Sequence, residues 1–128
     1  EINQYAFQFC SSLTSVTIPN SVTTIGYRAF NCCENLTSVK LSSSLTEISY
    51  GTFSGCSSLK SIIIPDSVKT IGSDAFYGCS SLESVTIGGS VSSIGEYAFH
   101  YCSSLTSIEI PNSVTEIVYK TLNNLIHI

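Results

Sequence analysis

Leu13, Leu36, Leu59, Leu82 and Leu105 fall 23 residues apart, and each opens the same phrase. It stands in full as LTSVTIPNSVTTIGYRAFNCCEN and again as LKSIIIPDSVKTIGSDAFYGCSS. A fixed period of this length restricts the fold more than any other feature, because a unit so short cannot bury its apolar edge alone and must stack on its neighbours. Five frames fit, at 13–35, 36–58, 59–81, 82–104 and 105–127, after a partial coil at 1–12. The expectation is a single solenoid over residues 1–128.

Within a frame, Val16-Thr17-Ile18 alternates and is β-branched, as are Val85-Thr86-Ile87 and Ile108-Glu109-Ile110. That pattern predicts a short strand with one buried face. Pro19, Pro65 and Pro111 stop the strand, and Asn20-Ser21, Asp66-Ser67 and Asn112-Ser113 turn the chain into a second extended piece ending at Ile25, Ile71 or Ile117. Gly26, Gly72 and Gly95 read as the next corner. The closing arc, Ala29-Phe30-x-x-Cys33, has the inward spacing of a helical turn. The predicted class is a mainly β repeat solenoid, with parallel stacked short strands and turn-like or short helical arcs.

Stacked at about 4.8 Å per coil, equivalent residues form ladders. Phe7, Phe30, Phe53, Phe76 and Phe99 make an aromatic spine ended by Leu122, and Ile2, Ile25, Ile48, Ile71, Ile94 and Ile117 make an aliphatic one. Cys10, Cys33, Cys56, Cys79 and Cys102 form one column, which reads as a row of buried thiols. Parallel side chains in a row are poorly oriented for a disulfide, and a straight row cannot surround a metal tetrahedrally. No metal or cofactor is therefore expected.

The blanked phrase LxxVxIPxSVxxIGxxAFxxCxx resembles the BspA-like, treponemal-type leucine-rich repeat, and the resemblance covers essentially the whole chain. It implies a cell-surface or extracellular protein whose repeats serve as a non-catalytic adhesive or protein-binding array. The chain departs from the phrase at Ser42, which replaces the proline, and in the last frame, IVYKTLNNLIHI. Apolar Leu122, Leu125, Ile126 and Ile128 there lead us to expect either further chain or a covering partner. Open coil ends also suggest an alternative role, a structural subunit adding copies of itself end to end into a filament.

Composition narrows the function further. Hydrophobic residues make up 43% and charged ones 11%, enough to bury a core and too apolar for disorder. The five basic residues, Arg28, Lys40, Lys60, Lys69 and Lys120, are scattered, which argues against nucleic acid. No apolar run in this segment is long enough to span a membrane. His100 and His127 lie in different frames, as do Glu47 and Glu116, and no nucleophile elbow or phosphate loop is present, so the chain reads as no enzyme.

The candidate sites are therefore binding sites for a protein or a glycan. Specificity is expected in the variable outer column of the strand, Thr17, Lys40, Ile63, Thr86 and Glu109, beside the uniform column Ser15, Ser38, Ser61, Ser84 and Ser107. A second patch is aromatic: Tyr77 beside His100, Tyr27 beside Tyr50, and Phe9 with Tyr101 in one column. Cys32, outside the cysteine column, is the candidate free, reactive thiol. Asn35-Leu36-Thr37 is an N-glycosylation sequon in a secreting eukaryote.

Overall fold

The computed structural model describes residues 1–118 and 120–122. The end of the last frame, with Leu125, Ile126, His127 and Ile128, lies outside the described residues. Among the described residues eight short strands follow in order: β1 (Ser15–Thr17), β2 (Ser38–Lys40), β3 (Glu47–Ile48), β4 (Ser61–Ile64), β5 (Thr70–Ile71), β6 (Ser84–Ile87), β7 (Ser93–Ile94) and β8 (Glu116–Ile117). All pairings are parallel, and every one joins residues 23 apart.

One side of the solenoid carries β1 on β2 and β4 on β6. Ser15 faces Ser38 and Thr17 faces Lys40, then Ser61 faces Ser84 and Ile63 faces Thr86. The other ribbon is the order β3-β5-β7-β8, which aligns Ile48, Ile71, Ile94 and Ile117, and a parallel bridge joins Ile2 to Ile25. Strand-breaking chemistry sits at the bends: Val22, Val68 and Val114 donate N–H bonds back to Pro19, Pro65 and Pro111. The next residue serves the neighbouring coil, for Asn20 Oδ1 accepts from the Ser43 amide at 2.9 Å and Asp66 Oδ1 from the Gly89 amide at 2.8 Å. Ser42, in the proline column, is buried, and its Oγ donates to the Val22 carbonyl at 2.7 Å.

Between the two ribbons the core is a set of columns. Rings of Phe7, Phe30, Phe53, Phe76 and Phe99 stack in sequence order at centroid separations of 5.1, 5.4, 5.5 and 5.3 Å. Each stacked pair contributes about 0.5–1.5 kcal/mol beyond its buried area. Leu122 holds the next position of the column, 23 residues after Phe99, and is buried. Thr52 and Thr121 replace alanine in the repeat phrase and are buried, and the Thr52 hydroxyl is satisfied by the Ser49 carbonyl at 2.8 Å.

The arcs are successive turns, and no residue among the described ones is helical. Alternate amides serve alternate partners. Arg28, Phe30 and Cys32 donate across to the carbonyls of Tyr50, Thr52 and Ser54 in the next coil, while Ala29, Asn31 and Cys33 donate back to Gly26, Arg28 and Phe30. A helix would keep all of these bonds inside one coil. The alternation needs left-handed backbone at two positions per arc. Tyr5, Arg28, Gly51, Asp74, Tyr97 and Lys120 form one such row, and Phe9, Cys32, Gly55, Gly78 and Tyr101 the other, all with φ between 51° and 76°. The corner glycines have a different purpose: a Cβ on Gly72 would stand 2.9 Å from the Ile48 carbonyl oxygen and from two further backbone atoms of the coil before.

Candidate functional site

Two surfaces differ from the repetitive remainder. On the strand side, Thr17, Lys40, Ile63, Thr86 and Glu109 are all exposed, Ile63 to 68%. The ladder is interrupted between β2 and β4, and a cleft of 330 Å³ lies there with Lys40 on one bank and Ile63 on the other. A second cleft, of 510 Å³, lies beyond β6 and is bordered by Thr86 and Glu109. Four of the five variable residues thus line clefts at breaks in an otherwise regular face. The serine column beside them is exposed throughout. Hydroxyl bonds between coils run instead along other columns, such as Thr37 to the Thr14 carbonyl at 3.0 Å and Ser92 to the Lys69 carbonyl at 3.2 Å.

On the arc side, His100 is the centre of an aromatic cluster. Its ring centroid stands 4.0 Å from that of Tyr101, 5.3 Å from Tyr97 and 5.7 Å from Tyr77, and the Tyr77 and Tyr101 rings meet edge to face at 5.4 Å. The Nδ1 of His100 is buried without a hydrogen-bond partner. These rings wall one end of a 610 Å³ cleft that also takes in Arg28, Ser54, Asp74 and Lys120. The cations rest on rings: the Arg28 guanidinium carbon is 5.0 Å from the Tyr50 ring centroid, with Nη2 donating to the Tyr50 hydroxyl at 3.0 Å, and Lys120 Nζ is 5.7 Å from the Tyr97 centroid.

The expected neighbours Tyr77 and His100 do meet, and Tyr101 joins them. Phe9 shares the Tyr101 column four coils away and stands 67% exposed. Tyr50 takes Arg28 as its partner. Sequence reasoning missed Tyr97, Asp74, Arg28 and Lys120 as parts of one site. Their common signal was their spacing: all four belong to the left-handed row, and Gly51 in the same row was the clue to that backbone.

Four of the five thiols in the cysteine column donate to the carbonyl of the phenylalanine one coil back: Cys33 to Phe7 at 3.0 Å, and Cys56, Cys79 and Cys102 to Phe30, Phe53 and Phe76 at 3.2 Å. All six cysteines are free. Burial pushes the Cys79 thiol well above its usual range and that of Cys102 up to about 12. Cys32 is half-buried, and burial first, then Glu34 and Cys33, raises its thiol too, which works against nucleophilic reactivity. Asn35 is exposed, and the amide nitrogen that a glycan would occupy donates to the Ser11 carbonyl at 2.7 Å. Among the described residues no three His, Cys, Asp or Glu side chains converge as a metal set, and no helix is long and apolar enough to cross a membrane.

The BspA-type leucine-rich repeat region matches this chain in six copies over residues 1–128. The chain belongs to that family. Among solved structures, it is similar to a leucine-rich cell surface protein of Faecalibacterium prausnitzii, at 40% identity and a TM-score of 0.81 over 97% of this chain and 31% of that one. A leucine-rich repeat protein of Treponema pallidum is 36% identical with a TM-score of 0.91, over 98% of this chain and 60% of that one. One from Eubacterium ventriosum is 28% identical with a TM-score of 0.86, over 93% and 32% respectively. The BspA-type chain thus spans between 31% and 60% of the length of these three proteins. No curated protein matches it.

Proposed function

We propose that this chain is part of a non-catalytic binding array displayed at a cell surface, and that its strand face engages a macromolecular ligand. One observation carries the reading: four of the five exposed side chains that vary from coil to coil, Lys40, Ile63, Thr86 and Glu109, border the clefts at breaks in the ladder, beside the invariant Ser61, Ser84 and Ser107. The strand pairs on either side of the break, β1 with β2 and β4 with β6, fix the backbone that carries the row, so little ordering entropy is lost when a partner docks. The description of the Faecalibacterium relative as a cell surface protein supports the location.

The test is adhesion. Beads coated with the chain are incubated with cultured epithelial cells, beside beads carrying Ile63→Asp or Lys40→Glu, both exposed positions whose change leaves the core intact. The expected result is adhesion of the parent and its loss in either variant. Adhesion that survives both substitutions overturns the strand face as the ligand surface. Light scattering across a concentration series separates this reading from end-to-end polymerisation: a constant monomer mass supports the array, and a mass that grows with concentration favours a filament.

A further inference from the structure

The arc-side cleft lies on a different surface from the strand row, and its chemistry is unlike it. Arg28, Asp74, Tyr97 and Lys120 come from one left-handed row, in which each side chain projects from a bend, and they alternate along the axis as cation, anion, ring and cation. Arg28 and Lys120 are four coil steps apart, roughly 19 Å at the usual strand spacing. Between them the second left-handed row carries no side chain at Gly55 or Gly78; Cys32 Sγ covers the first, while a Cβ built on Gly78 would meet nothing within 4 Å. The result is an elongated depression with an open middle and a wall of rings from Tyr77, Tyr97, His100 and Tyr101.

We propose that this depression binds an uncharged pyranose oligosaccharide lying along the solenoid axis. The argument is by chemistry. A wholly apolar ligand would strip water from Asp74 and both cations without replacing it. A polyanion would find the Asp74 carboxylate halfway along its path. A sugar chain meets both requirements: the C–H face of a pyranose ring covers a tyrosine, while its hydroxyls accept from Arg28 and Lys120 and donate to Asp74. Ring surfaces with a few placed polar groups are what small-ligand sites generally offer. The proposal stands apart from the strand-face reading, and either can fail alone.

The repeat supplies its own test variants. Gly51 shares the row of Asp74 and Tyr97, and Gly55 and Gly78 share that of Tyr101, so Asp74→Gly and Tyr101→Gly each install a residue the fold already uses at that position. The chain is titrated calorimetrically with cellohexaose, xylohexaose, mannohexaose, maltohexaose and chitohexaose, and with a heparin hexasaccharide as the polyanion. The expected result is binding of at least one neutral hexasaccharide, weakened at least about tenfold in each glycine variant and unchanged in Ile63→Asp. Three results overturn the proposal: no neutral sugar bound up to about 5 mM, binding unaltered in both glycine variants, or binding of the heparin fragment alone. Unchanged circular dichroism and melting in Asp74→Gly and Tyr101→Gly attribute any loss to the cleft; if one variant unfolds, the other decides.

Discussion

The Sγ of Cys79 donates to the backbone carbonyl of Phe53 across the boundary between two coils, at 3.2 Å. That carbonyl also accepts the Cys56 amide of its own coil at 3.1 Å, so the thiol fills its second lone pair. The column is thus more than apolar filling. Replacing Cys79 by Ala removes the donor and leaves a small void beside Phe76, both fully buried. We expect a loss of about 1–3 kcal/mol, measured by urea denaturation. A stability unchanged by the substitution would mean that the thiols contribute no bond.

The raised thiols make the fold sensitive to alkali. Cys102 ionises near 9 when unfolded and at about 12 in place, so in that window the unfolded chain has released a proton that the folded chain retains. Its contribution is complete below pH 9 and is lost as pH rises through about 12. The wild type should therefore lose up to about 1.4 kcal/mol per pH unit relative to Cys102→Ala across that range. Parallel pH profiles for the two proteins would contradict the burial of this thiol.

Thiol accessibility gives a third expectation. Ellman's reagent at mildly alkaline pH should modify Cys10 and Cys32 in the native protein, the two that are not fully buried, and reach the remaining four on unfolding. Cys32 should react more slowly than a small free thiol, because burial and Glu34 oppose its thiolate. Mass spectrometry of the labelled peptides reads both statements.

Two kinds of glycine should respond differently to alanine. At Gly78 the cost is conformational alone, since φ is +71° and a Cβ has open space, and about 1–2 kcal/mol is expected. At Gly72 the backbone is ordinary, but the added carbon would press on three backbone atoms of the coil before, which cannot swing away as a side chain could. Gly72→Ala should be the more damaging by thermal melting, and an equal or reversed order would refute this division.

The stacking was legible because it rests on identity between frames. Phenylalanine meets phenylalanine and isoleucine meets isoleucine whenever like positions lie one above another, and five equally spaced leucines state that offset. The arcs were less legible. The spacing of Ala29, Phe30 and Cys33 fits a helical turn as well as linked bends, and what separates the two is where the amides donate, a matter of backbone that side-chain pattern does not record. Gly51, Gly55 and Gly78 did mark the left-handed rows, but Tyr97, Asp74 and Arg28 hide the same geometry behind ordinary side chains. Arg28, Asp74, Tyr97 and Lys120 stayed unread for that reason although Tyr77, His100 and Tyr101 in the same cleft did not, and strand alternation alone puts Ile63 and Lys40 outside.

The division of arc amides, half kept and half passed forward at a constant offset, bears on how such arrays change in length. Loss or duplication of a block of 23 residues returns every donor to an equivalent acceptor, so unequal recombination can shorten or extend the array without any new contact being invented. A single inserted residue in an arc has the opposite effect, since it exchanges the inward and the forward amides from that point to the end of the coil.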